Sequence, residues 1–210
     1  PPQFWLLDEG LCDLEKARAE PLKAAAANWQ ALSTWAADLE GNEDSLLIDI
    51  GSTTTDIIRL EGGKPRAAGR SDPERLQLGE LVYTGVRRTP VCALLEEADL
   101  RGQACPLAAE HFATTLDAWL LLEEIPEDPD CLSTADGRPA TRRMAQDRLA
   151  RMLCLDPQEL EEKDALSLAR QIALAQENKI SRAIGKIIEQ GQPGGAFISG
   201  EGEFLALRAL

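Results

Sequence analysis

One histidine, one tyrosine and no CxxC pair occur in the 210 residues of this chain, and each scarcity removes a class of function. A zinc site would have to gather His111 with scattered cysteines, because the paired ligand spacing of such sites is missing. The five cysteines, Cys12, Cys92, Cys105, Cys131 and Cys154, are odd in number and far apart. That pattern suits free thiols in a reducing compartment, so a cytoplasmic setting is expected. No apolar run reaches transmembrane length, and Pro1–Gly10 lacks the charged and apolar regions of a signal peptide. Basic residues are also short, 22 against 36 acidic ones, for a net charge of −14. A surface of that sign repels polyanions, so neither nucleic acid nor a membrane is expected as a partner. Internal repeats and low-complexity tracts are absent. So is an initiator methionine, and Trp5-Leu6-Leu7 reads like the interior of a domain. The expectation is therefore a piece of a longer protein, incomplete at both ends, with its C-terminus inside a helix begun at Phe204.

What is present is the balance of an ordinary globular protein, 44% hydrophobic and 28% charged residues. The length suffices for a core without staples. Residues 21–40 open with proline and carry alanines and apolar residues at helical spacing, which predicts one amphipathic helix with Trp29 and Trp35 in the core. Leu46–Ile50 and Ile57–Leu60 are β-branched and apolar runs on either side of Gly51–Thr55, which predicts a β-hairpin over residues 46–60 with those five residues as its turn. The order matters, because Rossmann and P-loop sites send their glycine turn into a helix. Residues 76–95 read as an ordered functional loop beside a short strand. Residues 108–124, 140–154 and 158–190 carry helical patterns separated by Pro126, Pro129, Pro139 and Pro157. The chain ends with a strand, a glycine turn and a helix start. The expected organisation is an α/β core over 1–107, a mainly helical layer over 108–192, and a return to the core over 193–210.

The densest chemistry lies in Asp49-Ile50-Gly51-Ser52-Thr53-Thr54-Thr55-Asp56. Gly51 permits close backbone approach, while the hydroxyls of Ser52, Thr53, Thr54 and Thr55 and the turn amides can donate to phosphate oxygens. Carboxylates at Asp49 and Asp56 bracket that turn and imply a cation between them. Mg2+ is the natural one, since it keeps most of its waters and takes one or two carboxylates plus ligand phosphates. An ordinary hairpin capped by aspartates is the bland alternative. Arg87 and Arg88 can neutralise a phosphorylated ligand by bidentate hydrogen bonds, or else lie in solvent or pair with glutamates. Gly200 and Gly202 sit in the C-terminal turn, where amides can close on the same ligand. Tyr83 and Thr84 complete the candidate set as substrate contacts, with Tyr83 able to meet an aromatic substrate. Helix capping accounts for Asp136, and a complement to the helix dipole for Glu201.

The run LLIDIGSTTTDII resembles the second phosphate motif of the actin, Hsp70 and sugar-kinase superfamily, and GGAFISGEGEFLA resembles its C-terminal glycine turn. Together with GELVYTGVRRTPVCAL, FATTLDAWLLL, TADGRPAT and RLARMLCLD, they resemble the hydantoinase/oxoprolinase-related proteins of tetrahydromethanopterin-linked one-carbon metabolism. The resemblance covers most of residues 24–207. It implies an actin-like ATPase (ribonuclease H-like) fold with a mixed sheet and a phosphate-binding hairpin. It also implies a transferase that displaces diphosphate from an aminomethylfuran-methyl diphosphate by the phenol oxygen of a glutamylated tyramine, in methanofuran-type cofactor biosynthesis. The implied catalytic residues are Asp49, Asp56, Arg87 and Arg88, with Mg2+ on the two aspartates. Small-molecule diphosphate and phenolic substrates are the expected partners, and a homodimer is admitted. Relatives carry a first phosphate motif near their N-terminus, and no such sequence precedes residue 21. Two alternatives stay open: an ATP-dependent kinase or hydantoinase/oxoprolinase-type hydrolase of the same superfamily, and a non-catalytic sensor or scaffold.

Overall fold

The computed structural model describes residues 1–41, 43–189 and 191–210. The chain begins with a small antiparallel ribbon, β1 (Phe4–Leu6) against β2 (Gly10–Cys12), which reverses about Asp8 in the left-handed region. Three helices follow, α1 (Leu14–Ala19), α2 (Pro21–Ala25) and α3 (Asn28–Glu40). The single helix expected over residues 21–40 is therefore split at Ala26 and Ala27. Alanine-rich sequence has helix propensity, but α2 buries no residue and Leu22 lies exposed, so little burial supports carrying that turn into the next. In α3, Trp29, Leu32 and Ala36 recur at helical spacing on the packed face. Trp35 was expected in the core with Trp29. Six residues on, it points about 240° further round the helix, and it is 56% exposed, with its ring in a T-shaped arrangement with Phe197 at 6.3 Å between centroids.

The sheet is built from β3 (Ser45–Ile50), β4 (Thr55–Glu61), β5 (Lys64–Pro65), the short β6 (Leu81–Val82) and the late β9 (Gly195–Ser199). Its order is β5-β4-β3-β9, with β6 also paired to β4. Four residues join the hydrogen-bonded strands β3 and β4, too few for any parallel crossover, so the pair is an antiparallel hairpin. Both strands are buried along nearly their whole length, as continuous apolar runs dictate. Helix α4 (Asp72–Leu78) lies between β5 and β6 and ends on Gly79 in the left-handed conformation. The remaining elements are the ribbon β7 (Glu97–Leu100) and β8 (Gln103–Pro106), then helices α5 (Thr115–Leu121), α6 (Arg142–Met152), α7 (Glu162–Ile188) and α8 (Glu203–Ala209). The chain is thus a mixed α/β protein. Among the described residues, no helix is long and apolar enough to cross a membrane.

Two compact units divide the chain. The first comprises Pro1–Ile48, Asp56–Leu81 and Lys186–Ile198, and the second Asp49–Thr55, Val82–Gly185 and Ser199–Leu210. Residues 82–107, expected with the N-terminal core, thus group with the helices. Backbone bonds explain this: Val91 N–H donates to Ala113, Thr115 N–H to Thr89 and Ala108 N–H to Met152. In the second unit the α5 residue Trp119 is fully buried and meets Phe204 edge-on at 5.0 Å. Helix α5 starts where Thr114 and Asp117 form a reciprocal capping box.

The first unit centres on Trp29, Ala36, Ala37, Leu47, Ile58 and Leu60. Beside this cluster Arg75 of α4 is 1% exposed, with its guanidinium carbon 4.1 Å from the Trp29 ring centroid and Nη2 2.6 Å from Asp56 Oδ1. A charge so deep is tolerated because it is paired and stacked. Replacing it, Arg75→Ala, strips Asp56 of this counter-charge and is expected to destabilise the protein by about 3–5 kcal/mol. Leu22→Ala on the exposed helix α2 should stay within about 0.5 kcal/mol of wild type. Urea denaturation of the two variants measures the contrast, and equal small effects would remove the pair from the stabilising interactions.

Candidate functional site

The turn between β3 and β4 is closed by Gly51 N–H donating to Thr54 O at 2.9 Å. A second segment is laid along it: Val86 N–H donates to Gly51 O at 3.0 Å, and the amides of Arg87 and Arg88 donate to Ser52 O at 3.0 and 2.9 Å. This approach requires glycine at 85, where a Cβ would sit 2.4 Å from Thr53 N and 2.5 Å from Gly51 O. The third segment is the end of β9 and the turn after it. Gly200 has φ +92, and a Cβ there would lie 2.3 Å from Ile50 O and 2.7 Å from Asp49 Oδ1. Gly202 N–H donates to Ile50 O at 2.9 Å. All three segments, residues 49–55, 82–88 and 199–202, belong to the second unit.

A buried hydrogen-bond chain supports this cluster from behind. Thr55 Oγ1 donates to Thr84 O at 2.8 Å, and the hydroxyls of Thr84 and Thr89 meet at 3.0 Å. Gln176 Nε2 donates to Thr84 Oγ1 at 2.9 Å and to Gly85 O at 2.8 Å, while its Oε1 accepts from Trp119 Nε1 at 2.9 Å. Thr115 Oγ1 donates to Gly85 O at 2.8 Å. The side-chain hydroxyls and the amide of this network all have partners, so the glycine loop is fixed rather than merely packed.

Against this frame the sequence candidates separate. Asp49, Gly51, Ser52, Thr53, Thr54, Arg87, Gly200 and Gly202 come together. Ser52, Thr53 and Thr54 are half-buried at the surface of the turn, and the Ser52 and Thr53 hydroxyls lie 3.3 Å apart. Thr55 and Thr84, expected to touch phosphate and substrate, are fully buried with their hydroxyls spent inside the protein, so they position the loop instead. Tyr83 is 63% exposed, open to an aromatic partner. Asp56 is 7% exposed and its Oδ1 accepts from Arg75 at 2.6 Å. That carboxylate belongs to the core of the first unit, where the charge expected to meet a cation shared with Asp49 meets the Arg75 guanidinium instead.

Asp49 is different. It is half-buried, and burial pushes its carboxyl above the ordinary carboxylate range, opposed by a hydrogen bond from Ser199. Arg87 Nε lies 2.5 Å from Glu201 Oε2, joining the loop to the C-terminal turn through a part-exposed ion pair. Arg88 is exposed, with no acidic partner among the described residues. The donor set for a metal is one carboxylate, Asp49; among the described residues, no group of three His, Cys, Asp or Glu side chains gathers to hold an ion. Such a site fits Mg2+ in its ligand-assisted mode, with ligand phosphates and water completing the shell, and does not fit a dedicated protein cage.

Sequence reasoning passed over several residues that build this site. Glu201 reads from sequence as a dipole complement and Ser199 has no role of its own there beyond its turn, yet Ser199 binds Asp49 and Glu201 binds Arg87. Gln176 left a readable signal: it stands between the buried Ile172 and Ile180 at four-residue steps, a polar side chain on the apolar face of α7. Gly85 was visible only as part of a motif string, because the approach it allows is to residues more than thirty positions earlier.

The raised Asp49 pKa has a stability consequence. A carboxyl whose folded pKa exceeds its unfolded value costs the folded state nothing while both forms are protonated, and lowers stability as pH rises through the acid range. Without divalent cation, Asp49→Asn should therefore be more stable than wild type at pH 7, with the difference vanishing at about pH 3, below the ordinary carboxylate pKa. Thermal melts of both proteins across that range check the sign. A less stable Asp49→Asn protein at pH 7 would mean that the carboxylate is structural.

The sequence profile of the hydantoinase/oxoprolinase family matches residues 4–205. The chain is 32% identical over 196 residues to a Methanocaldococcus jannaschii protein named (4-{4-[2-(gamma-L-glutamylamino)ethyl]phenoxymethyl}furan-2-yl)methanamine synthase, covering 93% of this chain and 59% of that relative. A Methanococcus vannielii protein of the same name is 32% identical over 169 residues, covering 80% of this chain and 76% of the relative. The chain therefore spans less than two thirds of the length of the first of these relatives. With a profile match across almost the whole sequence, the chain belongs to the hydantoinase/oxoprolinase family.

Proposed function

We propose that this chain is the diphosphate-handling part of a transferase of methanofuran-type cofactor biosynthesis, on an actin-like ATPase frame. The observation that carries the reading is the convergence of the Gly51–Thr54 turn, the Gly85–Arg88 loop and the Ser199–Gly202 turn around one part-buried carboxylate, Asp49. Two synthases whose name describes an aryl furfuryl ether are each 32% identical to it over most of its length.

In the proposed reaction the bond between the furfuryl methylene carbon and a diphosphate oxygen breaks, and its electron pair leaves with the diphosphate. The phenol oxygen of the acceptor forms the new ether bond to that carbon, and its proton passes to solvent or to a base. The turn amides and the hydroxyls of Ser52, Thr53 and Thr54 bind the departing phosphate oxygens. Arg87 adds positive charge where negative charge accumulates, and Glu201 holds its side chain in place. Asp49 would hold Mg2+, which when bound offsets the charge of the leaving group. Thr84, Thr89, Thr115 and Gln176 do not touch substrate; they keep Gly85 against the turn.

Family membership supports a second reading, ATP-dependent hydrolysis of the hydantoinase/oxoprolinase kind with nucleotide phosphates against the same turn. One experiment separates the two. The full-length protein with Mg2+, an aminomethylfuran-methyl diphosphate and γ-glutamyltyramine should yield the ether and one diphosphate per ether, followed by mass spectrometry, with no requirement for ATP. Ether formation absent, with ATP hydrolysed instead, would replace this proposal by the second reading.

A further inference from the structure

A cleft of about 290 Å³ in the second unit is lined by Arg87, Arg88, His111, Thr114, Ser133 and Thr134. It holds three basic side chains in a protein whose net charge is −14. Glu201 answers the charge of Arg87, but no carboxylate among the described residues lies within ion-pair distance of Arg88. An arginine at a cleft without an acidic partner, where acidic residues outnumber basic ones, is placed for an external anion.

The walls of this cleft are built, not incidental. Behind Arg88, Pro90 pairs with Thr114 in an antiparallel bridge, and Thr115 N–H donates to Thr89 O at 2.9 Å. Thr114 N–H donates to Asp117 Oδ2 at 2.9 Å, and Asp117 Oδ1 accepts from Arg148 Nε at 2.8 Å. The same guanidinium reaches Asp136 Oδ1 at 3.1 Å, beside Thr134, whose hydroxyl donates to Arg138 O at 2.6 Å. Arg148 is fully buried, so one guanidinium ties the α5 cap on one wall to the 133–136 loop on the other. Burial pushes the Asp117 carboxyl up against the pull of Arg148, which marks the desolvation cost of that tie.

We propose that this cleft is the subsite for the free carboxylate of a γ-glutamyl group on the phenolic acceptor, with Arg88 as its anion-binding residue and Arg148 as a positioning residue. The inference rests on the transferase reading for the identity of the acceptor. A γ-linked glutamyl amide, as in the name of the relatives, keeps its α-carboxylate free, and the planar fork of an arginine matches that group. The volume is at the low end for small-molecule sites, suited to one end of a substrate rather than the whole. Ser133, exposed on the facing loop, supplies a second donor. Arg88 is thereby assigned to the acceptor and not to the diphosphate expected from its sequence position.

The test is calorimetric titration of the full-length protein, in Mg2+, with γ-glutamyltyramine, tyramine and inorganic diphosphate as separate probes. Wild type should bind γ-glutamyltyramine at least about tenfold tighter than tyramine. Arg88→Ala should erase that margin while leaving tyramine and diphosphate affinities unchanged, and Arg88→Lys should keep an intermediate margin. Weakened diphosphate binding in Arg88→Ala with the γ-glutamyl margin retained would overturn the assignment, as would equal wild-type affinity for the two amines. Wild type that selects γ-glutamyltyramine through Arg88 yet binds no diphosphate would uphold this subsite and count against the transferase reading.

Discussion

Three backbone amides donating to two carbonyls set the geometry on which the rest of the site depends. Val86, Arg87 and Arg88 can reach Gly51 and Ser52 only because residue 85 has no side chain. Once that contact is made, Arg87 stands beside the turn, Glu201 can bridge to it from the C-terminal segment, and Arg88 opens on the neighbouring cleft. The buried chain from Thr55 through Thr84 and Gln176 to Trp119 serves the same contact from the inside. Such a network is worth its conformational entropy only when fully satisfied, and here each hydroxyl and amide has a partner.

Much of this was legible from residue order. β-Branched runs on both sides of Gly51 gave the hairpin and the spacing after Pro157 gave most of α7, while the helical pattern read over residues 108–124 became a helix only over Thr115–Leu121, started by the Thr114 and Asp117 capping box. The direction of individual hydroxyls was not legible. Ser52 and Thr54 are half-buried and Thr55 fully buried with its hydroxyl on Thr84 O, a difference made by where β4 enters the packed region and not by residue type. The fate of Asp56 was hidden for the same reason. Its partner, Arg75, is nineteen positions away on another element. Sequence proximity to Asp49 suggested a shared cation, while the fold gives Asp56 an arginine. Trp35 shows the limit of composition: a tryptophan in an alanine-rich helix was assigned to the core, and its angular position put it outside.

Electrostatics gives the two halves of the proposed site different tasks. Asp49 is a carboxylate raised by burial, a group that gains from a cation and repels a bare diphosphate. Arg88 is a cation without a counter-charge among the described residues, suited to a carboxylate that needs no metal. A net charge of −14 disfavours polyanions in general, while in the proposed site the local charges would select small ligands by position.

The central claim is that Asp49 and the Gly51–Thr54 turn bind diphosphate through a cation. It is tested most directly by calorimetric titration of the full-length protein with diphosphate, with and without Mg2+, for wild type and Asp49→Ala. Wild type should bind at least about tenfold more tightly with Mg2+, since two like charges in contact repel unless a cation lies between them, and Asp49→Ala should show no Mg2+ effect. Equal wild-type affinity with and without Mg2+ would contradict the account.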